Sequence, residues 1–334
     1  MALPIKHCKI SIPENCLNNF KNDILHGLSL QRKQIPSVYF YDAKGSLLFN
    51  LITKHPDYYL TKCDLEILKN SKHILASLLK NEIVNLIEFG PGEGIKTSII
   101  LEQLFHEKVD FTYIPIDVSD RYLSLIKHRF TEKFPKIKIN PKKANYLMDL
   151  EHAVPVTSNR NFVLFLGSNI GNFDSETTSL FFDKLFNVLN DQDLILIGFD
   201  LCKNVNTMLK AYNDSDGITR AFNLNLLARI NNELQGNFVI DNFSHYGTYN
   251  VDIKAMESYL ISLKQQEVMI GSLNKTFKFQ MFEPIHVEYS HKYTLHQIHH
   301  LAMTSGFEVV DNFLDSQSYF VNSLWRVNKN LTPR

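Results

Sequence analysis

From residue 60 to residue 79 (LTKCDLEILKNSKHILASLL), apolar residues recur three and four positions apart, which predicts a helix with Thr61 as its cap. Short apolar runs then alternate with helical stretches. Residues 85–89, 111–116, 162–166 and 193–199 read as strands, and 95–105, 120–130 and 175–189 as helices. Near-continuous apolar strands, each followed by a helix, predict an α/β class fold: a mostly parallel, doubly wound sheet with both faces covered. The alternation stops near residue 203. From there to about 285 the chain is rich in Asn and aromatics, with helical spacing over 205–212 and 218–235. A helix over 293–305 and strands over 307–313 and 319–327 bring the rhythm back. The segment from Pro4 to about Tyr59 holds several aromatics but no long clean period. These shifts divide the chain into a sheet domain (61–202 and 287–334) and a second, α+β domain made from 1–60 and the insertion 203–286.

Composition narrows the class. The 334 residues are 44% hydrophobic and 21% charged, with Lys+Arg and Asp+Glu both 35 and a formal net charge of zero. That balance lacks the basic footprint a nucleic acid demands. The longest apolar runs, 162–166 and 194–199, fall far short of the roughly 20 residues that span a bilayer. The opening MALPIKHCKISIPENC has no continuous apolar core of secretory type. Cys8, Cys16, Cys63 and Cys202 form no CxxC, and are expected to be reduced thiols of a cytoplasmic protein. His296, His299 and His300 are spaced to share a helix face, but no HExxH or carboxylate ligand accompanies them. We expect exposed histidines and no metal.

Residues 85–104 (NLIEFGPGEGIKTSIILEQL) read as strand, glycine-rich loop and helix. The loop is not a P-loop, because Ile95 follows Gly94 where Lys must stand. Nor does it fit GxGxxG: the spacing is Gly90-x-Gly92-x-Gly94, and Glu88 would repel a pyrophosphate at the helix start. S-adenosylmethionine has no phosphate and carries a sulfonium and an ammonium, so acidic groups near the loop become favourable. Asp117 ends the next strand, where a carboxylate can accept both ribose hydroxyls. E-x-G-x-G-x-G followed by a strand-terminal Asp therefore points to the sulfonium cofactor, the alternative being a loop with no ligand.

Other segments are more specific. IPSVYFYDAKGSLLFNLITKHPDYYLTKCDLEIL (35–68), FLGSNIGNF (165–173), AYNDSDGITRAFNLNLLARINNEL (211–234) and VEYSHKY (287–293) occur in this order. With the glycine loop and YIPIDVSD they resemble the L-histidine Nα-methyltransferase family of ergothioneine biosynthesis, over nearly the whole chain from about residue 30. The resemblance implies a Rossmann-like class I methyltransferase domain and a second, substrate-binding domain, with the substrate held between them. It also implies stepwise S-adenosylmethionine-dependent methylation of the histidine α-amino group to the trimethyl betaine, hercynine. Gly90, Lys96 and Asp117 fall on the family's cofactor positions, and Asn145-Tyr146 on an Asp-Phe pair near the adenine. Tyr41 and Tyr58 match two substrate-pocket tyrosines. Asn172 and Tyr212 match residues that hold the substrate amino and carboxylate groups, and Thr219 lies in the same wall. Glu288 and Ser290 match the pair that reads the imidazole. Ser258, in KAMESYLIS, stands where the family usually has Met, and Asn145 where it has an acid.

The residue types suit the chemistry. An amine must lose its proton before it attacks a methyl sulfonium, so neutral groups such as Tyr41 and Asn172 position it without stabilising ammonium. A carboxylate at the far end, Glu288, instead accepts a ring N–H and favours histidine. We therefore expect an enzyme acting on a small molecule, as a monomer, without nucleic acid or membrane. Read singly, Tyr41 and Tyr58 are also core aromatics, Glu288 a solvated strand residue and Asn172 a turn former. Other readings are a family member retuned to another amino acid such as an aromatic one, a non-catalytic ligand sensor, or a dehydrogenase.

Overall fold

A computed structural model describes residues 14–331. The N-terminal stretch read above for a signal core lies largely outside them, as do Cys8 and the side chain of Cys16. In chain order, helices α1 (Glu14–Ser29), α2 (Ala43–Ile52) and α3 (Tyr59–Leu78) precede strand β1 (Ile83–Phe89). Then come α4 (Ile95–His106), β2 (Asp110–Asp117), α5 (Asp120–Lys133), β3 (Lys138–Ile139), β4 (Lys142–Lys143), α6 (Leu150–Ala153) and β5 (Arg160–Phe165). Helix α7 (Ser175–Val188) leads to β6 (Leu194–Asp200), followed by α8 (Val205–Tyr212) and α9 (Ile218–Leu234). Five strands follow: β7 (Phe243–Asn250), β8 (Ala255–Ser262), β9 (Gln266–Ile270), β10 (Lys275–Phe279) and β11 (Pro284–His291). Helix α10 (Leu295–Thr304) and strands β12 (Phe307–Leu314) and β13 (Phe320–Val327) complete the described chain.

The chain folds into two compact units. One holds Met1–His55, Tyr212–Thr248 and Glu257–Glu288; the other holds Pro56–Ala211, Tyr249–Met256 and Tyr289–Arg334.

The larger unit is an α/β fold around the sheet β12-β13-β6-β5-β1-β2-β3, with β4 also on β2. Strands β3, β2, β1, β5 and β6 run parallel, and β13 and β12 add antiparallel at one edge. Successive residues of β1 serve opposite faces. Val84 and Leu86 join a core with Leu101, Leu104, Ile126 and Phe130, while Ile87 and Phe89 join another with Phe181, Phe182 and Trp325. Two-sided burial is why these strands are continuously apolar in sequence. The chain leaves β1 toward β2 and later returns to β5 on its other side. The loop after β1 therefore sits at the switch point where open α/β sheets bind ligands. Thr61 lies inside α3, whose N-cap position is Tyr58 with no side-chain cap; that expectation is corrected.

In the smaller unit, α9 is the hub and is buried on several sides (Thr219, Phe222, Asn223, Leu226, Leu227, Ile230). Phe222 packs on Phe40 with ring centroids 4.7 Å apart, and Asn225 donates to Asp42 Oδ1 at 2.8 Å. Arg229 donates to the Tyr39 carbonyl at 2.8 Å and covers the Phe20 ring. Strands β9 and β10 form an antiparallel hairpin. The order β11-β8-β7 makes a further sheet.

Candidate active site

The loop after β1 turns on three residues of positive φ: Gly90 (61°), Gly92 (55°) and Gly94 (70°). A side chain at Gly94 would place its Cβ 2.8 Å from Phe130 Cζ, whereas around Gly92 nothing lies within 4 Å. The loop is thus closed beneath and open above. Gly94→Ala is expected to cost about 2–4 kcal/mol of unfolding free energy, from left-handed strain plus overpacking, and Gly92→Ala only about 1 kcal/mol. Denaturant unfolding of the two variants checks this.

Glu88 does not face the open side. It is 2% exposed. Thr97 donates to its carboxylate at 2.6 Å and Tyr113 donates to Oε2, so the carboxyl ties β1, β2 and α4 together under the loop. Burial, the largest influence, raises its pKa from 4.5 to about 7 against the two hydrogen bonds and Lys96. The folded form therefore binds this proton more tightly than the unfolded chain. The stability it contributes is full below pH 4.5 and is lost as pH rises through about 7. That loss amounts to about 3 kcal/mol. Glu88→Gln is expected to remove most of this decline, which urea unfolding at about pH 5 and about pH 8 measures.

Asp117, half-buried at the end of β2, accepts from the Ser119 N–H at 2.8 Å. Burial pushes its pKa up to about 6, opposed by the Ser119 and Val118 N–H groups. Tyr146 sits in an aromatic cluster with Phe89 (5.4 Å) and Phe165 (5.6 Å), and burial raises its hydroxyl pKa. The side-chain carbonyl of Asn145 accepts from the Leu147 N–H at 3.0 Å and so shapes this turn. Lys96 reaches toward Asp64 (3.1 Å), a buried carboxylate that also accepts from Gly167 N and Asn322 Nδ2. A loop open at Gly92, an acceptor carboxylate one strand away and an aromatic floor fit S-adenosylmethionine.

The expected substrate residues fall in both units. In the larger one, Tyr58 is half-buried directly before α3. Asn172 closes a 3-10 turn (Asn169–Asn172) after β5, which begins at Ser168 in left-handed conformation. Ser290 is 4% exposed near the end of β11 and accepts from Lys292 Nζ at 2.7 Å. In the smaller unit, Tyr41 is 39% exposed, its ring edge-on to Phe49 and Phe222. Tyr212 is buried and its carbonyl lies 3.0 Å from His245 Nε2. Thr219 is buried in the first turn of α9, and its hydroxyl has no hydrogen-bond partner among the described residues. A buried hydroxyl left in that state is costly unless a ligand completes it. Glu288 takes a hydrogen bond from Ser258 Oγ at 3.1 Å, and Ser258 is 1% exposed. The serine that departs from the family's methionine thus holds this carboxylate.

Periodicity did not reveal a buried cluster of Tyr59, Asp200, Lys203 and Lys292. The signal available was parity: Lys292 lies two positions beyond Ser290, itself two beyond Glu288. Cys63 and Cys202 are free thiols, and His296, His299 and His300 are exposed on α10. Among the described residues, no helix is long and apolar enough to cross a membrane.

A sequence model described as "Histidine-specific methyltransferase, SAM-dependent" matches residues 20–327. The chain belongs to that family. A relative named histidine N-alpha-methyltransferase, from Mycobacterium tuberculosis, is 33% identical over 273 residues, covering 82% of this chain and 84% of its own. Ergothioneine biosynthesis protein 1 of Schizosaccharomyces pombe is 29% identical over 296 residues, which are 85% of this chain but 38% of the longer relative. A 4-dimethylallyltryptophan N-methyltransferase of Claviceps purpurea is 24% identical over 334 residues, covering 92% of this chain and 94% of its own. The protein is therefore an S-adenosylmethionine-dependent methyltransferase on a Rossmann-like fold, with a small molecule as substrate.

Proposed function

We propose that this enzyme methylates the α-amino group of L-histidine stepwise to the trimethyl betaine hercynine, as in ergothioneine biosynthesis. The observation that carries the reading is Glu288 held by Ser258, with Ser290 two positions further along β11. A carboxylate and a hydroxyl on one strand face offer an acceptor and a hydroxyl to the two nitrogens of an imidazole.

S-adenosylmethionine, when bound, supplies an electrophilic methyl on sulfur. Gly90 and Gly92 would admit it, Asp117 would accept from its ribose, and Asn145 and Tyr146 would hold its adenine. Glu88 and Lys96 support the loop and helix from below. Tyr41 and Asn172 accept hydrogen bonds from the substrate amine, so that it is oriented as a neutral nucleophile. Tyr212 and Thr219 hold the carboxylate side, and Tyr58 lines the pocket. No covalent enzyme intermediate is needed, because in-line attack by a positioned amine suffices. Each of the first two methylations leaves an ammonium that must release a proton to solvent before its lone pair can react again, and the quaternary nitrogen, with no proton to lose, ends the sequence.

We assign the smaller unit to substrate binding and the larger to the cofactor, and take the enzyme to act as a monomer in the cytoplasm. Incubation with methyl-labelled cofactor and each amino acid separately tests the reading. Label in histidine supports it. Label in tryptophan with none in histidine would replace it with a retuned relative, and tight binding without turnover with a sensor.

A further inference from the structure

Lys96 stands in the first turn of α4, where the helix macrodipole disfavours a cation. That turn has no acidic residue and no side-chain cap to offset the charge. Glu88 does not pair with the lysine, because its carboxylate takes the Thr97 and Tyr113 hydroxyls. The partner is Asp64 of α3, whose Oδ2 lies 3.1 Å from the ammonium. Asp64 is fully buried and is itself held from two further sides. The Gly167 N–H donates to Oδ2 at 3.1 Å, and Asn322 Nδ2, from β13, donates to Oδ1 at 2.8 Å. Gly167 follows β5 with a φ of 78°, and a side chain at that position would run into the Lys96 ammonium. The ammonium therefore lies across the crevice between the ends of the paired strands β1 and β5, the switch point of the sheet. All of these residues belong to the larger unit. The lysine side chain keeps 28% of its surface exposed, so Asp64 fixes the ammonium without enclosing it. An ammonium has three donors. Among the described residues Asp64 is its one partner, which leaves two donors for a ligand.

We propose that Asp64 is a positioning residue for the cofactor: it holds the Lys96 ammonium over Gly167, where the ammonium receives the carboxylate of S-adenosylmethionine. This rests on the reading of Lys96 as a cofactor residue. A lysine without a fixed partner samples many rotamers on its four-carbon stem, and a ligand that recruits it must bear the loss of that freedom. Asp64, anchored by a backbone N–H and by β13, removes the freedom beforehand. Its negative charge also opposes a second carboxylate. The Gly167 and Asn322 donors on the same carboxyl group reduce that opposition, which leaves placement as the larger effect. Asparagine at this position would keep the shape but turn an NH2 group toward one of the three donors that now meet the carboxylate, and Lys96 would be released.

Calorimetric titration with two ligands tests this: S-adenosylhomocysteine, and the same thioether with hydrogen in place of the carboxylate. The wild-type protein should bind the first about 10- to 100-fold more tightly, the range of one charge-assisted contact. In Lys96→Met the ratio should fall to near one, with the ligand that lacks the carboxylate bound much as before. Asp64→Asn should lower the ratio about 5-fold or more, again through S-adenosylhomocysteine, and the double variant should match Lys96→Met. If Asp64→Asn does not fold, Gly167→Ala carries the test, because its methyl group displaces the ammonium from the same place and should lower the ratio likewise. Equal weakening of both ligands in Asp64→Asn would make Asp64 a structural residue, and a raised ratio would make it a brake on the charge of Lys96. Either result overturns the proposal, as does an unchanged ratio in Gly167→Ala. A ratio that Lys96→Met leaves unchanged defeats the cofactor reading of Lys96 as well.

Discussion

Replacing Asp117 with alanine is expected to weaken S-adenosylmethionine binding about 100-fold, while the fold persists. The carboxylate ends β2 beside the open glycine loop, and charge-assisted bonds to two ribose hydroxyls are together worth about 3 kcal/mol net. Burial has raised its pKa to about 6. The apo enzyme therefore pays part of the cost of ionisation before the cofactor arrives. Cofactor affinity should accordingly fall as pH drops below about 6, since the proposed ribose contact needs the ionised form. Asp117→Asn should flatten that dependence and show a smaller loss at neutral pH. Calorimetric titration with S-adenosylhomocysteine measures both effects, and an unchanged Kd in Asp117→Ala would remove Asp117 from the cofactor site.

The second large effect is expected at Glu288. Glu288→Ala should lower kcat/KM for histidine about 100-fold, mostly through KM, with cofactor affinity unchanged. On the proposed ring contact, removing the carboxylate leaves the ring N–H without its acceptor, and it strands the Ser258 hydroxyl that donates to it. Ser258→Ala should be milder, about 5- to 10-fold, because the carboxylate stays and loses only its orienting bond. Equal losses in cofactor affinity and in histidine kinetics would instead mean that Glu288 supports the fold.

The strands around β1 were legible because both their faces are buried, which writes them as uninterrupted apolar runs. Helix α2 was not. Its Leu47 and Leu51 are more than half exposed, so the apolar positions do not mark one buried face. Strand β7, FSHYGTYN, is half-buried with polar residues on both sides, and neither period survives in it. The cofactor loop and Asp117 could be read locally, since spacing and a strand end define them. The cluster around Asp200 could not. Asp200 looks like the end of an apolar run and Lys292 like a surface lysine, and only the fold joins them across more than ninety positions. Thr219 was reached through the family pattern, but that its hydroxyl has no partner among the described residues is a fact of packing alone.

Methyl groups are expected to pass to the α-nitrogen of histidine. Mass spectrometry of L-histidine incubated with the enzyme and S-adenosylmethionine tests it most directly. The expected result is sequential mono-, di- and trimethylated histidine, with fragmentation placing every methyl on the α-nitrogen. Unmodified histidine, or methyl groups on the imidazole, would contradict it.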